Sequence, residues 1–190
     1  METSSFENYA YYYSLRAASR NAVADSINRK TRTLAGMQRW GNITLCSIEE
    51  DALKESRTEW PKFYGNDTHT GFAYSWEKLY HRFMHRPSFF DLAVWQHIGG
   101  EKVLQALALG RPSHGKTHLT LNWVERSFAP TYLRGGALVI ILACAEEYAK
   151  LLGCQRVLIH EPVDPMKYER YEYRPYKIAR VPARYLCKEL

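Results

Sequence analysis

The stretch from Arg134 to Gly153, RGGALVIILACAEEYAKLLG, limits what this chain can fold into more than any other. Leu138, Ile141, Leu142, Ala145, Ala149 and Leu152 recur at helical spacing. Val139, Ile140, Ala143 and Cys144 carry the apolar surface around most of the first three turns. A helix apolar on nearly every side must be covered on more than one of them. Its uncharged run, Gly135–Ala145, falls short of the ~20 apolar residues that a membrane span needs. The segment is therefore a core helix. Glu146, Glu147 and Lys150 charge its far end, and Gly153 stands where a left-handed cap belongs. At the near end Arg134-Gly135-Gly136-Ala137 removes bulk where the first N–H groups have no partner within the helix. Those groups and the positive end of the helix dipole favour an anion.

At 190 residues the chain is long enough for one domain with a sizeable core. Its four cysteines (Cys46, Cys144, Cys154, Cys187) form no CxxC pair and no metal-like spacing. The start METSSFENYAYYYSL has no signal-peptide pattern, so they read as reduced thiols of a cytoplasmic protein. The net charge of +6 sits at the two ends: six basic against three acidic residues in 1–40, and eight against five in 156–190. Basic ends suit either a solvated surface or a polyanionic partner.

Along the chain, residues 6–35 read as helix with Gly36 as a stop, and the early tyrosines (Tyr9, Tyr12, Tyr13) read as packing onto the chain's own domain. Ile43–Ile48 reads as a short strand, and Ser47 as the cap of a helix at Glu49–Arg57. A polar link leads to a helix at Tyr74–His85. The period then changes from 3.6 to 2. Phe90–Ile98, Val103–Leu109 and Thr117–Val124 read as strands, with Gly99-Gly100 and Gly110–Lys116 as their turns. After the core helix, Arg156–His160 reads as a strand parallel to the one before that helix. Asp164-Pro165 opens a helix reaching Arg174-Pro175, and Ala183–Lys188 closes the chain as a last strand.

Gly110-Arg111-Pro112-Ser113-His114-Gly115-Lys116-Thr117 satisfies the formula GxxxxGK[ST] of a phosphate-binding loop. That cradle needs a helix directly after Lys-Thr, whereas HLTLNWVE alternates like a strand. A turn is the better reading. His81 and His85 share a helix face but lack the Glu of HExxH, and no metal site is expected.

Three antiparallel strands, a central helix, a parallel strand, a short helix and a final strand resemble the GNAT superfamily of acetyl-CoA-dependent N-acetyltransferases over roughly residues 43–188. That family carries [QR]xxGx[GA] before its central helix, with amides that bind the cofactor's pyrophosphate. Tyr132-Leu133-Arg134-Gly135-Gly136-Ala137 keeps the Gly and Ala positions, has Tyr where Gln or Arg is usual, and offers Arg134 as a nearby cation. The family's Y-x-x-x-G-F, whose Tyr protonates the leaving thiolate, resembles Tyr171-Glu172-Tyr173-Arg174-Pro175-Tyr176, with Tyr168 one turn earlier as the alternative. Glu125, at the carboxyl end of its strand, falls where such enzymes often place a general base.

The resemblance implies an α+β fold: a mixed, mostly antiparallel sheet flanked by helices. An N-terminal helical extension (1–40) would precede an acetyltransferase-like domain (41–190). It implies acetyl transfer from acetyl-CoA to a primary amine. Trp123, Val124, Arg134, Gly135, Gly136 and Ala137 would hold the cofactor, and Tyr171 and Glu125 would act as acid and base. The pantetheine arm would lie between Leu119–Val124 and Val157–His160. A small-molecule amine is the first acceptor class. A tRNA reached through Arg16, Arg20, Arg29, Lys30, Arg32 and the basic C-terminal segment, or a protein amine, is the second. A homodimer is also open, and no membrane partner is expected. The readings that compete are a non-catalytic module of the same fold and a nucleotide-binding protein acting through Gly110–Thr117.

Overall fold

Alternating apolar residues broken by glycine pairs build hairpins, and a long apolar helix then has a sheet to lie on. The computed structural model describes residues 5–33, 40, 42–64, 74–129, 131, 133 and 135–190. Its elements run α1 (Ser5–Thr33), β1 (Ile43–Cys46), α2 (Glu50–Thr58), a 3-10 turn (Trp60–Phe63), α3 (Trp76–Met84), β2 (Phe90–Ile98), β3 (Glu101–Pro112) and β4 (His118–Arg126). There follow α4 (Gly136–Leu151), β5 (Arg156–His160), α5 (Met166–Glu169), β6 (Arg174–Tyr176) and β7 (Tyr185–Glu189). Among the described residues the strands form one sheet in the order β1-β2-β3-β4-β5-β7-β6. Every neighbouring pair is antiparallel except β4 and β5, which α4 joins in parallel. The expected α+β architecture is present.

The sheet separates two cores. On one face α4 and α1 cover Phe90, Leu92, Val94, Leu119, Leu121 and Val157. On the other, Ala52 from α2, Trp60 from the 3-10 turn and Trp76, Leu79 and Phe83 from α3 cover Ala93, Trp95 and Leu109. Each large side chain taken from water here contributes about 1.5–3 kcal/mol before entropy is set against it. α4 is buried along most of its length, as its composition demands, and Tyr148 spans the core to donate from its hydroxyl to the Ser88 carbonyl at 3.0 Å. Gly153 closes the helix at φ 76°, and the Cys154 N–H returns to the Ala149 carbonyl at 2.9 Å.

α1 does more than extend the N-terminus. Val23 and Ile27 belong to the α4-side core, and Arg16 and Arg20 are buried against the carboxylate of Asp91 in β2. Arg16 Nε lies 3.1 Å from Asp91 Oδ1, and its Nη1 donates to the carbonyls of Pro87 (2.7 Å) and Phe89 (2.9 Å). These two arginines are therefore not a surface that could track phosphates. The Arg16 guanidinium lies near the rings of Tyr9 and Tyr13, which stay exposed like Phe6 and Tyr11.

Several boundaries differ from the sequence reading, each for a local reason. Ser47 does not cap α2: the cap residue is Glu49, and the Ser47 hydroxyl instead accepts from Arg20 at 3.0 Å. The turn between β3 and β4 is shorter than Gly110–Lys116, because Gly110–Pro112 continue β3 as far as Ser113. There Ser113 Oγ accepts the Thr117 N–H at 3.0 Å, and β4 follows at once. No helix completes a phosphate cradle, so the Gly110–Thr117 nucleotide reading fails. Lys116 instead sits 4.9 Å over the Tyr12 ring. α5 stops after four residues, and β6, an edge strand containing Pro175, occupies the place where a longer helix was expected. The Gly36 stop lies outside the described residues.

Candidate active site

One irregularity in β4 organises the site. Leu109 pairs with Trp123 and Gly110 with Leu121, so Asn122 has no opposite number in β3. Such a bulge shifts the alternation of side chains by one. Leu119 and Leu121 face α4, and then Trp123 and Glu125 turn to the α3 side while Val124 faces α4. Gly110 is demanded by the same bulge, since a Cβ there would lie 2.5 Å from the Thr120 carbonyl oxygen. On its other edge β4 pairs with β5 from His118 to Leu121, and that ladder stops at Ile159. Beyond it Asn122–Arg126 run on without a partner in that register, leaving a gap between the carboxyl ends of the two parallel strands. Inside the bulge the buried Asn122 Oδ1 accepts no hydrogen bond among the described residues.

The start of α4 lies on the α4 side of this gap. Thr131 steers the approach by accepting the Leu133 N–H at 2.8 Å and donating to Gln96 at 3.4 Å. Gly135 caps the helix at φ 73°, with nothing within 4 Å of the place a Cβ would take. Gly136 is glycine for a different reason: a Cβ would fall 2.8 Å from the indole of Trp40. Its N–H is already given to the Leu133 carbonyl at 2.7 Å. The open Gly135 position and the first turn of α4 through Ala137 form a positively polarised helix end. These features and the unsatisfied Asn122 oxygen beside the gap fit a pyrophosphate followed by an amide-bearing arm. Tyr132 and Arg134 lie outside the described residues.

Glu125 stands on the opposite face. Its Oε2 accepts the Trp76 indole N–H at 2.5 Å and its Oε1 the Tyr64 hydroxyl at 3.4 Å. Ser75 caps α3 by accepting the Lys78 N–H at 3.4 Å, and this starts the helix at Trp76 with the indole turned inward. Burial, and then the adjacent Glu125 charge, push the Tyr64 hydroxyl well above the ordinary tyrosine range. Phe128 meets the Tyr64 ring edge to face at 6.0 Å, and the Arg126 guanidinium lies 4.9 Å over Phe128. Sequence reasoning singled out Glu125 but none of its aromatic neighbours. Tyr64 follows a 3-10 turn and Trp76 opens a helix, so neither belongs to a motif around Glu125.

Tyr171 and Tyr168, the tyrosines marked by the sequence, sit in different surroundings. Glu172 holds φ 71°, the left-handed turn that a glycine would favour, and Tyr173 after it is fully buried. Counting four residues back from this turn reaches Tyr168, whereas counting from Tyr171 lands on Pro175 inside β6. Tyr168 is 9% exposed, its ring 6.3 Å from that of Tyr173. Burial, with Asp164 behind it, pushes its hydroxyl upward. Tyr171 is half-buried and lines a cavity of about 370 Å³ against Leu142 and Glu146 of α4 and Lys188 of β7.

Solved structures share this architecture. A protein described as a ribosomal-protein-serine acetyltransferase from Vibrio cholerae superposes with a TM-score of 0.58 at 12% identity, covering 79% of this chain and 95% of that one. The chain has the GNAT acetyltransferase fold. A variant of spermidine N-acetyltransferase SpeG from Vibrio cholerae gives 0.53 at 14% identity, over 78% and 94% of the two chains. Aminoglycoside 6'-acetyltransferase type Ii gives 0.50 at 15%, over 77% and 96%. No protein-family model and no curated protein matches the sequence. Among the described residues no His, Cys, Asp and Glu side chains gather as a metal site, and no helix is long and apolar enough to cross a membrane.

Proposed function

We propose that this GNAT-fold protein transfers an acetyl group from acetyl-CoA to a primary amine. The observation that carries the reading is the gap between β4 and β5 at Leu121, opened by the Asn122 bulge next to the polarised start of α4. Bound acetyl-CoA would supply an activated acetyl thioester. Gly135 and Ala137 would hold its pyrophosphate, joined by Arg134, while Trp123, Val124 and Asn122 would line the arm that leads to the thioester. Gly136 serves this site through its close fit to Trp40 and not through its N–H.

Glu125, or a water it orders, would accept a proton from the acceptor nitrogen and free its lone pair. As the new C–N bond forms and the C–S bond breaks, a tyrosine hydroxyl would protonate the departing sulfur. Tyr168 is favoured over Tyr171 for this step by the Glu172 turn, and its raised hydroxyl keeps the proton available at neutral pH. Holding both reactants across the gap would supply much of the rate. Calorimetry with acetyl-CoA tests the reading. Micromolar binding is expected, and no binding at millimolar cofactor overturns it.

A further inference from the structure

We infer that the end of the sheet opposite the β4–β5 gap is a docking surface for single-stranded nucleic acid. Three elements meet there. Phe90, at the start of β2, pairs with Gly110 near the end of β3, so Arg86 and Arg111 flank the sheet at the same end. The turn between β3 and β4 adds His114 and Lys116, and α1 reaches it where Lys116 Nζ lies 4.9 Å over the Tyr12 ring. Arg16 of α1 donates to the Pro87 carbonyl at 2.7 Å, which ties the loop carrying His85 and Arg86 to the same helix.

Charge at this end is one-sided. Among the described residues Arg86, Arg111 and Lys116 form no ion pair with a carboxylate. Elsewhere surface cations are often matched, Arg57 by Glu77, Lys62 by Glu59 and Lys150 by Glu147. Arg111 lies 5.9 Å from the Phe83 ring on the α3 side, and Lys116 lies on the α1 side. A ring beneath a cation restrains it and leaves its charge intact. Positive groups spread along one edge in this way suit a run of phosphates better than one small anion. The exposed imidazoles of His85 and His114 add hydrogen-bonding groups between them. Tyr11 supplies a ring: it is 54% exposed and meets Tyr12 in a T-shaped contact at 5.2 Å. An unpaired base can stack on such a ring, whereas a duplex keeps its bases stacked on one another, so a single strand is favoured. The surface lies away from the gap and needs no acetyl transfer.

The test follows fluorescence anisotropy of labelled oligothymidylate and oligouridylate, about 20 nucleotides long, with the full chain. Neutralising three phosphates of a single strand predicts a slope of log K against log salt of about −2, a loss of about twentyfold from 50 to 200 mM. Arg111→Gln with Lys116→Gln is expected to bring the slope to about −1 or shallower. Lys54→Gln with Lys177→Gln, which removes the same charge from exposed lysines on other elements, is expected to leave binding within about twofold. Tyr11→Ala is expected to weaken binding about fivefold or more with the slope unchanged. Undetectable or salt-insensitive binding of wild-type protein overturns the inference, as does equal loss in the two double variants. Tighter binding to a duplex of the same sequence, to polyglutamate or to vesicles of anionic phospholipid overturns the partner class.

Discussion

Replacing Arg16 by Ala removes more than one surface charge. Asp91 is 1% exposed and would be left with Arg20 alone, 3.8 Å away, while the Pro87 and Phe89 carbonyls would lose their donor. Breaking a buried pair by deleting one partner costs about 3–5 kcal/mol, because the remaining charge stays buried and uncompensated. With a urea m-value of about 2 kcal/mol/M, the unfolding midpoint should fall by about 1.5–2.5 M. Burial already pushes the Asp91 carboxyl upward and Arg16 is the stronger of the two arginines pulling it back, so the variant's carboxyl lies higher still. An acid raised on folding takes up a proton in the native state, and the stability this supplies is lost as pH rises through the folded value. The deficit of Arg16→Ala should therefore be larger at pH 8 than at pH 5.5. Adding Asp91→Asn should recover much of it at pH 8. A loss under 1 kcal/mol, or a deficit that grows on acidification, would refute the argument.

Tyr168→Phe should lower kcat by about 10²-fold or more with acetyl-CoA binding kept, whereas Tyr171→Phe should stay within about threefold; the reverse order in steady-state kinetics would return the acid role to Tyr171. Gly110→Val should cost about 1–3 kcal/mol in urea unfolding, since its Cβ meets the Thr120 carbonyl, and should weaken acetyl-CoA binding by disturbing the bulge. Burial pushes the thiols of Cys144 up to about 12 and of Cys154 and Cys187 up to about 11. A thiol reagent at pH 7.5 should thus modify these three slowly in the native protein and rapidly in denaturant, and fast native labelling of any of them would contradict that burial.

Much of the fold was legible because its strongest signals are local. The apolar helix, the Gly99-Gly100 hairpin and the strand Phe90–Ile98 follow from period and turn chemistry alone. Arg16 and Arg20 were not legible in the same way. On the sequence they read as surface charge, and only the placement of Asp91 about 70 positions later makes them core residues. The two glycines before α4 were visible, but not that one answers to a left-handed turn and the other to the Trp40 ring. Glu125 could be marked from its strand end, whereas Trp76 and Tyr64 reach it from separate elements across the sheet. Glu172 adopts the backbone of a glycine without being one, so the sequence pattern points to Tyr171 first and to Tyr168 only as the alternative.

The extra residue in β4 also fixes which kinds of genetic change the protein can absorb. Substitutions at Trp123 or Glu125 alter one face of the sheet and those at Val124 the other, so the two faces can drift separately. A codon deletion acts according to where it falls. At position 122 it would remove the unpaired residue and leave Trp123 opposite Leu109 and Glu125 on the Trp76 side. At position 124 it would turn Glu125 to the α4 side, because one paired residue fewer reverses the alternation. For this segment, length is under tight constraint everywhere but at the bulge.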